Sequence, residues 1–203
     1  SEYQFGIEVS DGALSDNLDL TLTVSDVNEA PVIDTGTSGT VVENTSASAV
    51  IYDADASDVD AGASLSFSVS GTDADKIVID ADDGEVRLLA TSDFETQSSY
   101  SFSVIASDGQ LTDSKDVVVS VTDVEEAPVL STKAIGALAE NTSSSIAVYD
   151  ADAFDSDGDN LTFSLAGTDQ DAFTINAASG EIYLKASANF EAKSEYQFGI
   201  EVS

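Results

Sequence analysis

The chain lacks whole classes of reactive side chain: its 203 residues include no Cys, His, Met or Trp. Without His or Cys it cannot build a Ser-His-Asp triad, a Cys nucleophile, a redox dithiol or the usual zinc and copper sites. Basic residues are scarce, with 6 Lys and Arg against 39 Asp and Glu, which gives a formal net charge of −33. Because phosphate binding requires basic patches, we expect no nucleic-acid partner.

Long hydrophobic runs are also absent. No apolar stretch approaches the ~20 residues that a membrane-spanning helix needs, so we expect no direct membrane insertion. Hydrophobic residues nevertheless make up 42% of the chain, which is enough to build cores. The acidic excess leaves hard cations such as Ca²⁺ as candidate ligands, since these ions prefer carboxylate and carbonyl oxygens.

The sequence repeats itself with a period of about 97 residues. Several landmarks recur at that spacing: Asp11 and Asp108, Pro31 and Pro128, Glu43-Asn44 and Glu140-Asn141, and Asp58-Val-Asp60 and Asp155-Ser-Asp157. Residues 1–10 and 194–203 are identical in sequence. Such regular recurrence is typical of a tandem array of similar domains.

Within a repeat the hydrophobic period is two, which indicates half-buried β-strands. Tyr100, Phe102 and Val104 alternate with serines, and turn signals such as Asp83-Gly84 and Ser179-Gly180 separate the strands. About seven strands per 97 residues predict an all-β chain of tandem antiparallel Greek-key β-sandwiches. Aromatic residues at strand spacing are predicted to pack in the cores, namely Phe67, Phe94, Tyr100, Phe102, Phe163 and Phe190.

Two proline-containing joints, Asn28–Pro31 and Glu125–Pro128, divide the chain. We expect residues 1–29 to be the last two strands of a preceding repeat, 30–126 to be a complete repeat, and 127–203 to be a repeat without its last strand. Two strands alone cannot bury an apolar face. This division therefore predicts head-to-tail strand complementation, in which residues 1–29 of one chain complete residues 127–203 of the next.

Five short motifs occur in a fixed order: Glu43-Asn44, Asp58-Val-Asp60-Ala-Gly62, Asp93-Phe-Glu95, Ala106-Ser-Asp108-Gly109 and Asp123-Val-Glu125-Glu126-Ala-Pro128. Together they resemble the signature of cadherin repeats, in the version found in bacterial cadherin-like surface proteins and in the extender regions of giant adhesins of the RTX type. The resemblance implies β-sandwich repeats that bind Ca²⁺ where consecutive repeats meet. The chain departs from the pattern at Glu125, which replaces an Asn, at Asn189 of Asn189-Phe-Glu191, and in having no Trp for strand-swapping adhesion.

The resemblance also implies the calcium ligands. At the first joint they are Asp26, Asn28, Glu29, Glu43, Asp58, Asp60 and Asp108. At the second joint they are Asp93, Glu95, Asp123, Glu125, Glu126, Glu140, Asp155 and Asp157, with Asp11 supplied by a complementing chain. Glu191 is a further candidate in the last Asp-x-Glu-like motif. Acidic residues at loop tips can also be plain solvated charge, and we expect that role for Asp53, Asp55, Asp150 and Asp152.

Three classes of function fit these features. The first is a calcium-stiffened, rod-like extender in an extracellular, cell-surface adhesin, with neighbouring repeats of the same protein as partners. The second is a cadherin-like module that itself binds polysaccharide or mediates contacts with other cells or proteins. The third, a glycosidase with paired carboxylates, is not expected, because the acidic residues follow the repeat register. A role in biofilm adhesion on a membrane-associated parent protein would follow from the first class.

Overall fold

The computed structural model describes residues 1–131 and 137–203 as an all-β chain. Its described helices are two 3-10 turns, Ala74–Lys76 and Gln170–Ala172. In the described ranges, no helix is long and apolar enough to span a bilayer. The strands are β1 Glu2–Ser10, β2 Ser15–Thr23, β3 Val32–Ile33, β4 Ser38–Val42, β5 Val50–Asp53, β6 Ala56–Ser57, β7 Ser66–Ser70, β8 Ile77–Ile79, β9 Glu85–Leu88, β10 Ser99–Ser107, β11 Thr112–Thr122, β12 Val129–Ser131, β13 Tyr149–Asp150, β14 Asp152–Phe154, β15 Phe163–Ala166, β16 Phe173–Ile175, β17 Glu181–Leu184 and β18 Gly199–Val202.

The chain divides into two compact units. Unit 1 comprises Ser1–Ser92 with Ser99–Val121, and unit 2 comprises Asp93–Ser98 with Thr122–Ser203. The repeat boundaries at residues 29/30 and 126/127 stay a prediction.

Unit 1 contains two larger sheets, ordered β4-β11-β10-β7 and β5-β9-β8, whose paired strands are antiparallel where the register is given. The side chains that alternate inward from β10 and β11 are buried, with Val104 and Val119 both 0% exposed. Tyr52 on β5 meets Phe102 on β10 edge-to-face, with ring centroids 6.1 Å apart. The predicted period-two pattern of the sandwich is therefore confirmed.

The hairpin β1–β2 also belongs to unit 1 and is paired along its whole length, from Glu2 opposite Thr23 to Ser10 opposite Ser15. Its alternating aromatic and aliphatic side chains are exposed: Tyr3 by 61% and Phe5 by 51%. Backbone pairing thus forms this hairpin without a buried apolar face.

Unit 2 has the three-stranded sheet β13-β17-β16 and the pairs β12–β14 and β15–β18. Its core is a cluster of Phe173, Ile182 and Leu184, against which Tyr196 and Phe198 pack. Phe190, expected in the core, is 66% exposed, so that prediction is wrong. The residue belongs to a turn segment outside the strands, where strand spacing does not determine which way a side chain faces.

Equivalent glycines form the same close turn in both units. Gly84 has φ +80°, and a Cβ there would lie 2.2 Å from the carbonyl oxygen of Ala54. Gly180 has φ +78°, and a Cβ would lie 2.2 Å from the carbonyl oxygen of Ala151. Only glycine fits such an approach, so the predicted turn signals Asp83-Gly84 and Ser179-Gly180 have a steric basis.

Candidate metal centres

A short antiparallel strand pair brings the first linker beside an acidic loop in unit 1. Val32 of β3 lies opposite Ser57 of β6, so the residues before β3 face the residues after β6. The Glu29 backbone N–H accordingly donates to Asp60 Oδ2 at 2.9 Å. Pairing of two-residue strands thus positions the Asp58–Asp60 loop against the linker.

Unit 2 repeats this arrangement in the equivalent residues. Val129 of β12 lies opposite Phe154 of β14, and Asp155 follows β14 directly. The Glu126 backbone N–H donates to Asp157 Oδ2 at 2.7 Å. The same local topology therefore builds a linker–loop constellation in each unit.

The turn between β10 and β11 adds a third element to the constellation in unit 1. Asp108 Oδ1 accepts the backbone N–H groups of Gln110 at 2.6 Å and Leu111 at 2.7 Å, a side-chain-stabilised turn. Its Oδ2 accepts the side-chain amide of Asn28 at 2.7 Å. These hydrogen bonds, led by those from Leu111 and Gln110, lower the pKa of Asp108 from its usual 3.8. The turn therefore holds an ionised carboxylate on the linker.

Electrostatic repulsion is visible in unit 1. Desolvation first, and then the charges of Asp60 and Asp26, raise the pKa of Glu29 above its usual 4.5. Asp58 Oδ1 accepts the Asp60 backbone N–H at 2.8 Å. Its second oxygen, Oδ2, is buried and has no hydrogen-bond partner among the described residues. A buried carboxylate oxygen without a partner carries an uncompensated desolvation cost.

In unit 2 the carboxylates converge more closely. Glu95, Asp123 and Asp157 each offer an oxygen within 4.8 Å of the others. Asp155 is 7% exposed, and Asp157 Oδ1 is buried with no hydrogen-bond partner in the described part of the chain. The charges of Asp157 and then Asp159, ahead of desolvation, raise the pKa of Glu125 above its usual 4.5. Repulsion between carboxylates dominates this site.

These residues fit a hard divalent cation. Every side-chain donor around Asp157 is a carboxylate oxygen, the ligand type that Ca²⁺ takes in sets of six to eight. The ion pairs within the described ranges lie elsewhere, at Lys76–Asp73, Arg87–Glu85 and Lys193–Asp169. Two unit charges ~4 Å apart repel by roughly 1 kcal/mol in bulk water and by more in a shielded site. A bound cation would offset this repulsion and supply the buried oxygens with a partner.

Two predicted ligands lie at a different place from the one expected. The Asn44 backbone N–H donates to the Ser92 carbonyl oxygen at 2.8 Å, so the buried Glu43 lies beside that segment. In unit 2 the Phe190 backbone N–H donates to Glu140 Oε2 at 3.4 Å. Glu140 therefore adjoins Asn189-Phe-Glu191 and is not part of the carboxylate group around Asp157, which corrects the expectation. Neighbours of this kind are far apart in sequence, so repeat register alone could not assign them.

Other predicted residues have local roles. Asp93 closes its own turn, accepting the Thr96 backbone N–H at 2.8 Å and the Thr96 hydroxyl at 2.9 Å. Asp11 closes the β1–β2 turn through the backbone N–H groups of Leu14 and Ala13, which lower its pKa from 3.8. Glu191 is exposed. The four acidic residues expected to line a solvent face are exposed, namely Asp53, Asp55, Asp150 and Asp152.

Sequence reasoning missed two residues. Gln110 donates its side-chain amide to Asn28 Oδ1 at 3.3 Å. Asp159 donates its backbone N–H to Asp155 Oδ1 at 3.3 Å and raises the pKa of Glu125. The alternation Asp155-Ser-Asp157-Gly-Asp159 contains the signal for this second residue, because a third acid continues the spacing of the first two.

Known proteins of cadherin type resemble the chain. Cadherin-related family member 1 of Xenopus laevis is 28% identical over 222 aligned residues, covering 100% of this chain and 26% of that protein. Human protocadherin-16 is 31% identical over 200 residues, covering 89% of this chain and 6% of that protein. The structure of protocadherin gamma B2 extracellular cadherin domains 1–5 has a TM-score of 0.71 at 19% identity, over 99% of this chain and 41% of that one.

No protein-family profile matches the chain. The chain spans about a quarter of the first relative and a small fraction of the second. What these comparisons do show is that the chain has the fold of cadherin domains.

Proposed function

We propose that the chain is a calcium-binding segment of cadherin-like repeats in an extracellular adhesion protein. The observation that carries the proposal is a pair of linker–loop constellations with buried, unpartnered carboxylate oxygens at Asp58 and Asp157. In each unit a linker N–H is already tied to a loop carboxylate, Glu29 to Asp60 and Glu126 to Asp157. Bound Ca²⁺ would supply positive charge to these carboxylates.

The residues of this chain would hold the ion in defined ways. In unit 2 the ligands would be Glu95, Asp123 and Asp157, with Asp155 as a buried neighbour. In unit 1 Asp58 and Asp60 would provide the loop oxygens, and the Asp108 turn would orient Asn28. Because linker and loop would share an ion, binding would restrict the movement of the linker against its loop.

A stiff linker suits a spacer that holds a binding domain away from a surface. We therefore propose that the repeats act in series as an extender, with neighbouring repeats of the same protein as their partners. The bacterial adhesin and biofilm setting is the more specific form of this proposal, and it rests on the motif resemblance; the two relatives named above come from a frog and from human. No feature of the described residues favours the polysaccharide-binding alternative.

Small-angle scattering of the 203-residue chain tests the proposal. In EDTA we expect a broader distribution of dimensions than in excess Ca²⁺, because the linkers lose their restraint. The variant Asp157→Asn should reduce the calcium response, whereas Asp171→Asn, which removes the same charge from the exposed 3-10 turn Gln170–Ala172, should preserve it. Profiles that are superimposable with and without Ca²⁺ would refute the proposal.

A further inference from the structure

The two acidic loops are equivalent in the repeat but differ in composition. The loop in unit 1 reads Asp58-Val-Asp60-Ala-Gly62-Ala, and the loop in unit 2 reads Asp155-Ser-Asp157-Gly-Asp159-Asn. Gly62 and Asp159 occupy the same position, 97 residues apart. The loop in unit 2 therefore carries one carboxylate that its counterpart in unit 1 cannot offer.

The fold of the loop places Asp159 at the constellation. Its backbone N–H donates to Asp155 Oδ1 at 3.3 Å, which curls the loop so that the third acid follows the first two. The charge of Asp159 is the second-largest influence on Glu125, after that of Asp157. Asp159 and Asp157 thus act on the same linker carboxylate from the same loop.

The neighbouring oxygen needs a partner. Asp157 Oδ1 is buried and has no hydrogen-bond partner in the described ranges, while Oδ2 is occupied by the Glu126 N–H. The side chain of Asp159 carries a charge of the same sign and cannot provide that partner while it is ionised. A cation between the two would satisfy both carboxylates at once.

Resting on the function proposed above, we propose that Asp159 is an additional calcium ligand, which makes the linker–loop site of unit 2 the tighter of the two sites in this chain. Calcium affinity in oxygen-ligand sites rises with the number of charged ligands. The Gly62 position provides the natural comparison, since the unit 1 loop has only two of the three acids.

Isothermal titration calorimetry of the intact chain with CaCl₂ tests this assignment. Asp60→Asn and Asp157→Asn, equivalent changes in the two loops, identify which class of site belongs to which unit. We expect Asp159→Asn to weaken only the class that Asp157→Asn weakens, by about tenfold, and to bring its affinity towards that of the unit 1 site. The exposed Asp171→Asn is the charge-matched control.

Salt separates ligation from a distant field effect. Repulsion between exposed charges is screened at high ionic strength, whereas direct ligation is screened much less. The proposal predicts that the Asp159→Asn defect persists at about 0.5 M KCl, a concentration at which the Debye length is only a few ångströms. The proposal is overturned if the defect vanishes in salt, if Asp171→Asn reproduces it, or if Asp159→Asn leaves both classes unchanged. Absence of any calcium binding by the unchanged chain would instead refute the proposed function itself.

Discussion

Two hairpins of the same pattern have opposite surroundings. In β10–β11 the inward residues Phe102 and Val104 are 3% and 0% exposed, whereas the equivalent Phe5 and Ile7 of β1–β2 are 51% and 53% exposed. Both hairpins are fully paired and close with the same aspartate turn, at Asp108 and Asp11. The alternation of side chains thus encodes the strands and their faces, while burial depends on the strands that pack opposite.

The largest difference between the hairpins should appear in core truncation. Phe102→Ala should lower the free energy of unfolding by about 3–5 kcal/mol, because it removes a buried ring and leaves a cavity. Phe5→Ala should cost less than about 1 kcal/mol, since the ring is already half exposed. Urea denaturation of both variants measures the comparison. Equal losses would show that the face of β1 is buried in solution.

The two turn aspartates should differ in their calcium dependence. Asp108→Ala removes the Asn28 contact together with the turn, so it should lower the melting temperature by an amount equivalent to ~1–2 kcal/mol and also reduce the stabilisation by Ca²⁺. Asp11→Ala breaks an equivalent turn and serves as the matched control. We expect it to leave the calcium response intact. A smaller calcium response in Asp11→Ala than in Asp108→Ala would contradict the assignment of Asp108 to the site.

Acid should affect the calcium-free chain in two opposite steps. Glu29 and Glu125 have folded-state pKa values above 4.5, so the folded state binds more protons, and stability rises as pH falls towards 4.5. Asp11 and Asp108 have folded-state pKa values below 3.8, so their contribution is lost as pH falls below that value. Melting temperature against pH in EDTA should therefore pass through a maximum. A monotonic fall from pH 7 would contradict the repulsion described for the two linkers.

The smallest expected effect is strand exchange between copies. Residues 1–10 and 194–203 are identical, so replacing one by the other in unit 2 changes few contacts. The predicted head-to-tail complementation should thus be weak, and sedimentation velocity should detect it only at high protein concentration. Phe5→Ser, which makes the exposed face more polar, should abolish it. A monomer at every concentration would rule out the exchange.

Particular residues show what could be predicted from the sequence. The alternation of Tyr100, Phe102 and Val104 correctly predicted a strand with one buried face, because the strand period is local. The exposure of Tyr3 depends on which strands pack against β1, and the location of Glu140 depends on its contact with residue 190. Asp159 was missed because the motif resemblance ends at Asp157. Local periodicity is readable from sequence, whereas long-range neighbours are not.

The melting temperature of the intact chain, measured in excess Ca²⁺ and in EDTA, tests the central claim most directly. Calcium at 100 times its Kd should stabilise a single-site native state by ~2.7 kcal/mol. The double variant Asp60→Asn/Asp157→Asn should lose most of the rise, while Asp171→Asn should retain it. A clear rise in the unchanged chain that the double variant loses is the predicted result. The same melting temperature in Ca²⁺ and EDTA, or a full rise in the double variant, would contradict the account.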